Sequence, residues 1–249
     1  MRGCTALLVG CLLCCACMAP GGLAHADSSR TSAVIYGELA GMSGTTAVGA
    51  NEADLDVSFS ELLDHLDMAG MLAMRNERER SAVTFNTAFT GLEGDVTDAG
   101  GTFYDLEITQ TLFEFAWSWR FDERYETYVG ARYQSVSAEV EVTPLGGAQN
   151  TTFKVENWID PLIGARANWP FGEAWTLIAA ADVGGFGIGS DLTWSALVAF
   201  DWKVSNSVGI VLGYRALDTD YEDGSGDSRF LFDTLVAGPV LGVRFLFGP

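Results

Sequence analysis

The chain has 249 residues, with 14 Lys and Arg against 33 Asp and Glu, a formal charge of -19 at pH 7 and 48% apolar residues. Its mean hydropathy is nevertheless +0.17. Lys occurs only at Lys154 and Lys203, so no clustered cationic surface is available for phosphates and a nucleic-acid partner is excluded. Beyond the N-terminus no uncharged run reaches the roughly 18 residues of a membrane helix, so the apolar content must be housed in another way.

In chain order, Arg2 opens a short positive region, Ala6 to Met18 is apolar throughout, and Pro20-Gly21-Gly22 precedes Ala24-His25-Ala26, a small-x-small cleavage site. Residues 1–26 therefore read as a cleaved signal peptide and 27–249 as one mature domain. Leu8-Val9-Gly10-Cys11 has lipobox spacing, but it leaves an apolar region shorter than the roughly 7 to 15 residues that secretory signals use. Cleavage before Asp27 removes Cys4, Cys11, Cys14, Cys15 and Cys17, leaving no cysteine for a disulfide, a thiolate nucleophile or a zinc site. It also removes Arg2 and no acid, so 13 basic residues face 33 acidic ones, a mature balance of -20.

The mature chain then repeats with a period of two. An N-terminal strand is expected near Ala33 to Met42 and a second near Asp67 to Arg75. Between them Ser58 to Leu66, with Leu62, Leu63 and Leu66 on one face and Ser58 or Ser60 as cap, predicts one short helix in the first long loop; the sequence leaves Thr45 to Val57 without a place. Further runs follow at Val83 to Gly91, Phe113 to Phe121, Thr127 to Tyr133, Ile159 to Trp169, Trp175 to Val183, Leu192 to Trp202, Val208 to Ala216 and Leu235 to Phe247. Each has about the 9 to 11 residues that a tilted strand needs to cross a bilayer. The fold class is thus an all-β, antiparallel transmembrane β-barrel of about ten strands, or eight without the two N-terminal runs. The alternation slips near Gln110 and near Val136, where a bulge or a strand end is expected.

Two kinds of connection alternate between the runs. Asn76 to Ser81, Asp122 to Arg124, Phe171 to Ala174 and Lys203 to Ser207 are short; Gly94 to Gly101, Pro144 to Thr152, Gly187 to Asp191 and Asp218 to Ser228 are mostly longer and acidic or Gly-rich. Bacterial outer-membrane barrels carry this asymmetry. Trp119, Phe121, Trp169, Phe171, Trp175, Trp202, Phe245 and Phe247 all fall beside the short turns, where a girdle at the inner lipid interface belongs.

The C-terminal run Gly242-Val243-Arg244-Phe245-Leu246-Phe247 resembles the assembly signal of outer-membrane barrels, Gly-x-x-aromatic-x-aromatic, carried by Gly242, Phe245 and Phe247. It departs from the pattern in the apolar Val240 two places earlier and in the trailing Gly248-Pro249. Three further stretches, Asp56 to Asp67, Trp158 to Arg166 and Asp182 to Trp194, make the mature chain similar to an uncharacterised family of small, porin-like outer-membrane β-barrel proteins of proteobacteria. The resemblance implies a compact barrel of the Gram-negative cell outer membrane. Its partners would be membrane lipid and lipopolysaccharide and, for insertion, the barrel assembly machinery. It carries no catalytic residue across.

Residues able to carry chemistry are few. The inward positions gather Arg75, Arg120, Arg132, Arg166, Arg215 and Arg244 with Glu114, Asp160, Asp182 and Asp201. In a narrow lumen these charges should pair as arginine–carboxylate ladders, either as a structural plug or as a conduit in which arginine rings favour anions. Asp218, Asp220, Glu222, Asp223 and Asp227 lack the spacing of a calcium loop. Gly184, Gly185, Gly187 and Gly189 lie between strands with no helix after them, so they are not a phosphate loop. His65, four residues after Glu61 and near Ser60 and Asp64, would carry any lipid A chemistry. The sequence-based expectation is a structural barrel or narrow small-solute channel with no enzyme activity, cofactor or bound metal. A lipid A-modifying enzyme and a soluble periplasmic ligand-binding barrel are the alternatives.

Overall fold

The computed structural model describes residues 29–248 apart from 50, 58–65, 98–102, 144–145 and 149. The expected signal peptide 1–26, most of the expected helix and His65 lie outside the described residues. Leu66, assigned to that helix from sequence, instead opens a strand. The strands are β1 (Arg30–Glu38), β2 (Gly41–Val48), β3 (Asn51–Val57), β4 (Leu66–Glu77), β5 (Ser81–Thr97), β6 (Phe103–Arg120), β7 (Tyr125–Thr143), β8 (Asn150–Phe171), β9 (Trp175–Gly185), β10 (Leu192–Lys203), β11 (Val208–Asp223) and β12 (Phe230–Phe247). All pairings are antiparallel, and β1 pairs with β12 to close the sheet into a barrel.

Twelve strands make ten staves. β1 and β2 pair with β12 in one unbroken register, from Thr31 opposite Phe247 to Val48 opposite Phe230. Their interruption at Leu39 and Ala40 falls beside Pro239, which has no N–H to give the ladder; Leu39 N–H still donates to the Pro239 carbonyl at 2.8 Å. The chain returns as β3 beside β2 and β4 beside β1, so residues 45–57 complete the first hairpin. Following paired residues around the wall from Ser32 leads through Arg75, Thr84, Ala116, Gly130, Leu162, Gly184, Thr193, Thr219 and Thr234 to Gly44, on the stave where the path began. That twelve-residue stagger for ten strands is a steeply tilted, narrow barrel, whose lumen side chains can fill.

The start of β1, the end of β12 and the short turns 78–80, 121–124, 172–174 and 204–207 sit at one end, hereafter the turn end. There the Asp122 carboxylate accepts the N–H groups of Arg124 and Tyr125 at 2.7 and 2.8 Å. Those bonds hold its carboxyl below the ordinary aspartate value. At the opposite, far end three of the four loops are shorter than the sequence suggested, because strands run on through them. β5 reaches Thr97, β8 starts at Asn150 and β11 continues to Asp223, leaving Gly226–Ser228, a 3₁₀ turn, in the β11–β12 connection.

The expected bulges at Gln110 and Val136 are absent: β5–β6, β6–β7 and β7–β8 pair without a register shift. What changes there is the environment. Below those positions the outward residues are apolar and exposed, among them Phe85, Phe115, Val129, Ile163, Val198, Leu212 and Val243. Beyond them the outward positions become Thr111, Ser135, Ser137, Asn157, Asp218 and Asp220, while Leu112, Val136, Trp158 and Tyr221 turn inward and are buried. Phe153 and Val155 on β8 are outward apolar exceptions. The pattern inverts because the solvent outside changes while the pleat does not.

Aromatic rings mark both edges of the belt. At the turn end Phe171, Trp175 and Trp202 stack in a row, with centroids 6.4 and 5.6 Å apart, and Trp119, Phe245 and Phe247 are exposed at the same end on β6 and β12. At the other edge Phe85, Phe113 and Tyr133 form a chain across β5, β6 and β7 with spacings of 6.2 and 6.1 Å. Val243, Phe245 and Phe247 of the C-terminal run face outward. Gly242 faces inward opposite Tyr36, where a Cβ would come within 2.8 Å of the tyrosine Cβ; glycine lets that ring lie against the neighbouring backbone.

Candidate functional site

Among the described residues, charged side chains converge away from water in the lumen. Nearest the turn end, Arg244 Nε lies 2.6 Å from Asp201 Oδ2. Arg75, on β4, bridges Glu77 at 2.8 Å and Glu126, across the lumen on β7, at 2.6 Å, and its Nη1 donates to Thr84 Oγ1 at 3.0 Å. Arg166 stands beside them, with Nε donating to Asn168 Oδ1 at 3.2 Å and 3.9 Å from Glu126 Oε1.

One layer further in, Arg132 is fully buried and bound on three sides. Nε reaches Glu114 at 2.8 Å, Nη2 reaches Asp182 at 2.8 Å and Nη1 donates to Thr193 Oγ1 at 3.0 Å. Asp182 also accepts from Tyr128 Oη at 3.1 Å and Ser195 Oγ at 2.6 Å. Four strands, β6, β7, β9 and β10, thus meet at one guanidinium, and every oxygen facing it is charged or hydroxylic. Arg215 pairs with Glu38 of β1 at 3.1 Å, tying the closing seam to β11.

Two of the sequence-selected residues behave differently. Arg120 sits at the turn-end rim, where Nη1 donates to the Arg78 carbonyl at 2.8 Å, and it makes no ion pair among the described residues. Asp160 is fully buried yet meets no arginine, although Arg132 is its register partner. Its Oδ1 accepts the Ser190 N–H at 2.6 Å and its Oδ2 accepts Trp158 Nε1–H at 3.1 Å. That pins the turn of residues 186–191 against β8, a turn in which Gly185, Phe186 and Gly187 take positive φ. The two family-like stretches 158–166 and 182–194 are therefore one structural unit. Conversely, Glu38, Glu77 and Glu126 belong to the network and were not selected from sequence. The signal existed for two of them: Glu77 shares the parity of Arg75, and Glu126 that of Arg132.

Above the charges the lumen turns apolar. Trp158 of β8 stacks on Tyr221 of β11 with centroids 4.0 Å apart and planes 10° from parallel. Phe230, Phe232 and Val136 pack around the pair. Lys154 ties the top of β8 to the 3₁₀ turn by donating to the Ser228 carbonyl at 2.8 Å, and lies 5.5 Å from the Phe230 ring centroid. This cluster ties β7 and β8 to β11 and β12 on that side of the charges.

At the far rim Asp218, Asp220, Glu222 and Asp223 are strand residues, and of the acids seen in sequence Asp227 lies in the 3₁₀ turn. Asp220 of β11 lies directly opposite Asp233 of β12, and its carbonyl accepts the Asp191 N–H at 2.8 Å. Partial burial and the Asp233 charge raise the carboxyls of both Asp218 and Asp220. Among the described residues no group of three or more ligand-type side chains is arranged to hold a metal.

No protein-family model matches the chain, and no curated protein matches it. Among solved structures it is similar to the outer membrane protease OmpT from Escherichia coli, with 8% identity, a TM-score of 0.49, and 91% of this chain and 99% of that one covered. It is also similar to Neisserial surface protein A, with 13% identity, a TM-score of 0.33 and coverages of 88% and 97%. A Pseudomonas aeruginosa FadL homologue gives 9% identity, a TM-score of 0.37 and coverages of 90% and 90%. The chain is a closed, antiparallel, ten-stranded β-barrel with an apolar outer belt and a charged lumen.

Proposed function

We propose that this chain is an outer-membrane β-barrel of the Gram-negative envelope, a structural protein with a plugged lumen and no enzyme activity. The observation that carries the reading is the belt: apolar and aromatic side chains point outward over the turn-end part of every stave, while Arg75, Arg132, Arg166, Arg215 and Arg244 point inward. Water would select the opposite arrangement; lipid selects this one. The same inside-out polarity disfavours a soluble periplasmic ligand-binding barrel. Lipid and lipopolysaccharide would surround the belt, with the assembly machinery recognising Gly242, Phe245 and Phe247, in the manner of the proteobacterial family that the sequence resembles.

Membrane fractionation with a heat-modifiability gel tests the reading. The protein should co-fractionate with the outer membrane and migrate faster unboiled than boiled. Recovery in the soluble periplasmic fraction with no boiling-dependent shift would overturn it. In planar bilayers the arginine–carboxylate layers and the Trp158–Tyr221 cluster should suppress open-channel steps; regular conductance steps would instead make it a narrow channel.

A further inference from the structure

Between the Arg132 layer and the turn end, the lumen keeps a cavity of about 100 Å³. Its wall carries both signs of charge: Arg75, Arg166 and Arg215 share it with Glu114, Glu126 and Asp182. Most of these groups are saturated by one another. Glu126 is only 3% exposed, yet its Oε1 accepts no hydrogen bond among the described residues, and Arg166 Nε stands 3.9 Å from it. Arg166 uses Nε for Asn168, and neither of its Nη groups has a described acceptor; Arg215 uses only Nη1, for Glu38. A buried acceptor left without a donor carries a desolvation cost that a suitable guest would relieve, and the unused guanidinium N–H groups offer that guest donors.

The guest's charge pattern follows from the wall. A free anion would meet Glu114, Glu126 and Asp182, and a free cation would meet three arginines. A solute with no net charge but with both poles close together meets neither repulsion. Ala116 and Ala180, also in the wall, give no bulk and can flank the carbon between the poles. The aromatic cluster lies on the other side of the Arg132 layer.

We propose that this cavity binds a small zwitterion of amino-acid size, with Arg166 and Arg215 taking the carboxylate and Glu126 Oε1 the ammonium. This goes beyond the envelope reading and depends on the lumen alone, so its test is run on the barrel purified in detergent, whatever fraction of the cell it came from. Equilibrium dialysis with labelled glycine is the measurement, with acetate and methylammonium as competitors that each carry one pole. Glycine should bind saturably, and neither competitor should displace it at equal concentration. Arg166→Gln and Glu126→Gln should each weaken binding at least tenfold. Ala180→Leu, which changes no charge and fills the cavity, should abolish it. Variants are read only where the unboiled gel shift persists, and Ala180→Leu keeps the test alive if a charge variant fails to fold. Absence of saturable glycine binding by the parent barrel would overturn the proposal. Equal displacement by acetate or methylammonium, or parent-like binding by Ala180→Leu, would do the same.

Discussion

The two halves of this barrel are built from the same strands in the same register, yet they are opposites. In the turn-end half the inside holds Arg132, Glu114 and Asp182 and the outside holds Phe115, Val129 and Ile163. In the far half the inside holds Trp158, Tyr221 and Phe232 and the outside holds Ser135, Asn157 and Asp220. No bulge separates them on β6 or β7. The lesson is that a period-two pattern specifies which residues share a face, while the medium outside decides which face is apolar.

The largest expected break of this contrast is Arg132→Met. It leaves Glu114 and Asp182 as buried charges without their common partner, and losing one member of such a pair costs about 3 to 5 kcal/mol. Denaturant titration of the refolded barrel, followed by tryptophan fluorescence, should show a large fall in midpoint. A shift within error would mean that water reaches the layer freely.

Next comes a matched pair of outward substitutions. Ile163→Arg in the belt should cost about 2 to 4 kcal/mol in lipid vesicles, whereas Ser137→Arg in the far half should stay within about 0.5 kcal/mol. Equal costs would erase the distinction between the halves. A smaller effect is expected inside the far half: Tyr221→Leu keeps an apolar side chain but loses the stack on Trp158, a loss of about 0.5 to 1.5 kcal/mol beyond buried area. The fall should vanish in a Trp158→Leu background if the stack is what matters.

The smallest effects are pH dependences of opposite sign at the two ends. Asp122 has a lowered carboxyl, so its turn is stabilised above the ordinary aspartate value of about 3.9 and loses that contribution as the pH falls through the lower folded value. Asp220 has a raised carboxyl, so the rim is at its most stable below that ordinary value and weakens as the pH rises through the higher folded one. Asp122→Asn should therefore remove stability at neutral pH, and Asp220→Asn should add it. Two changes of the same sign in stability at pH 7 would contradict the assignment.

Much of this was legible in the chain itself. Ten alternating runs, their hairpin order and the inward parity of Arg75, Arg132, Arg166 and Arg215 follow from a two-residue repeat, because neighbouring side chains on a strand must point oppositely. The sequence did not show that Gln110 and Val136 mark a change of surroundings, since a polarity inversion and a one-residue slip look identical in one dimension. Nor did it show that Asp218 to Asp223 continue a strand, because acidic residues on a water-facing wall read like a loop. Partner choice within the lumen was equally hidden. Glu38 and Arg215 are 177 residues apart, Asp160 answers a backbone N–H and an indole, and Arg120 stops at the rim. A closed barrel with a fixed stagger decides such meetings, because only closure sets the height at which each inward side chain crosses the lumen.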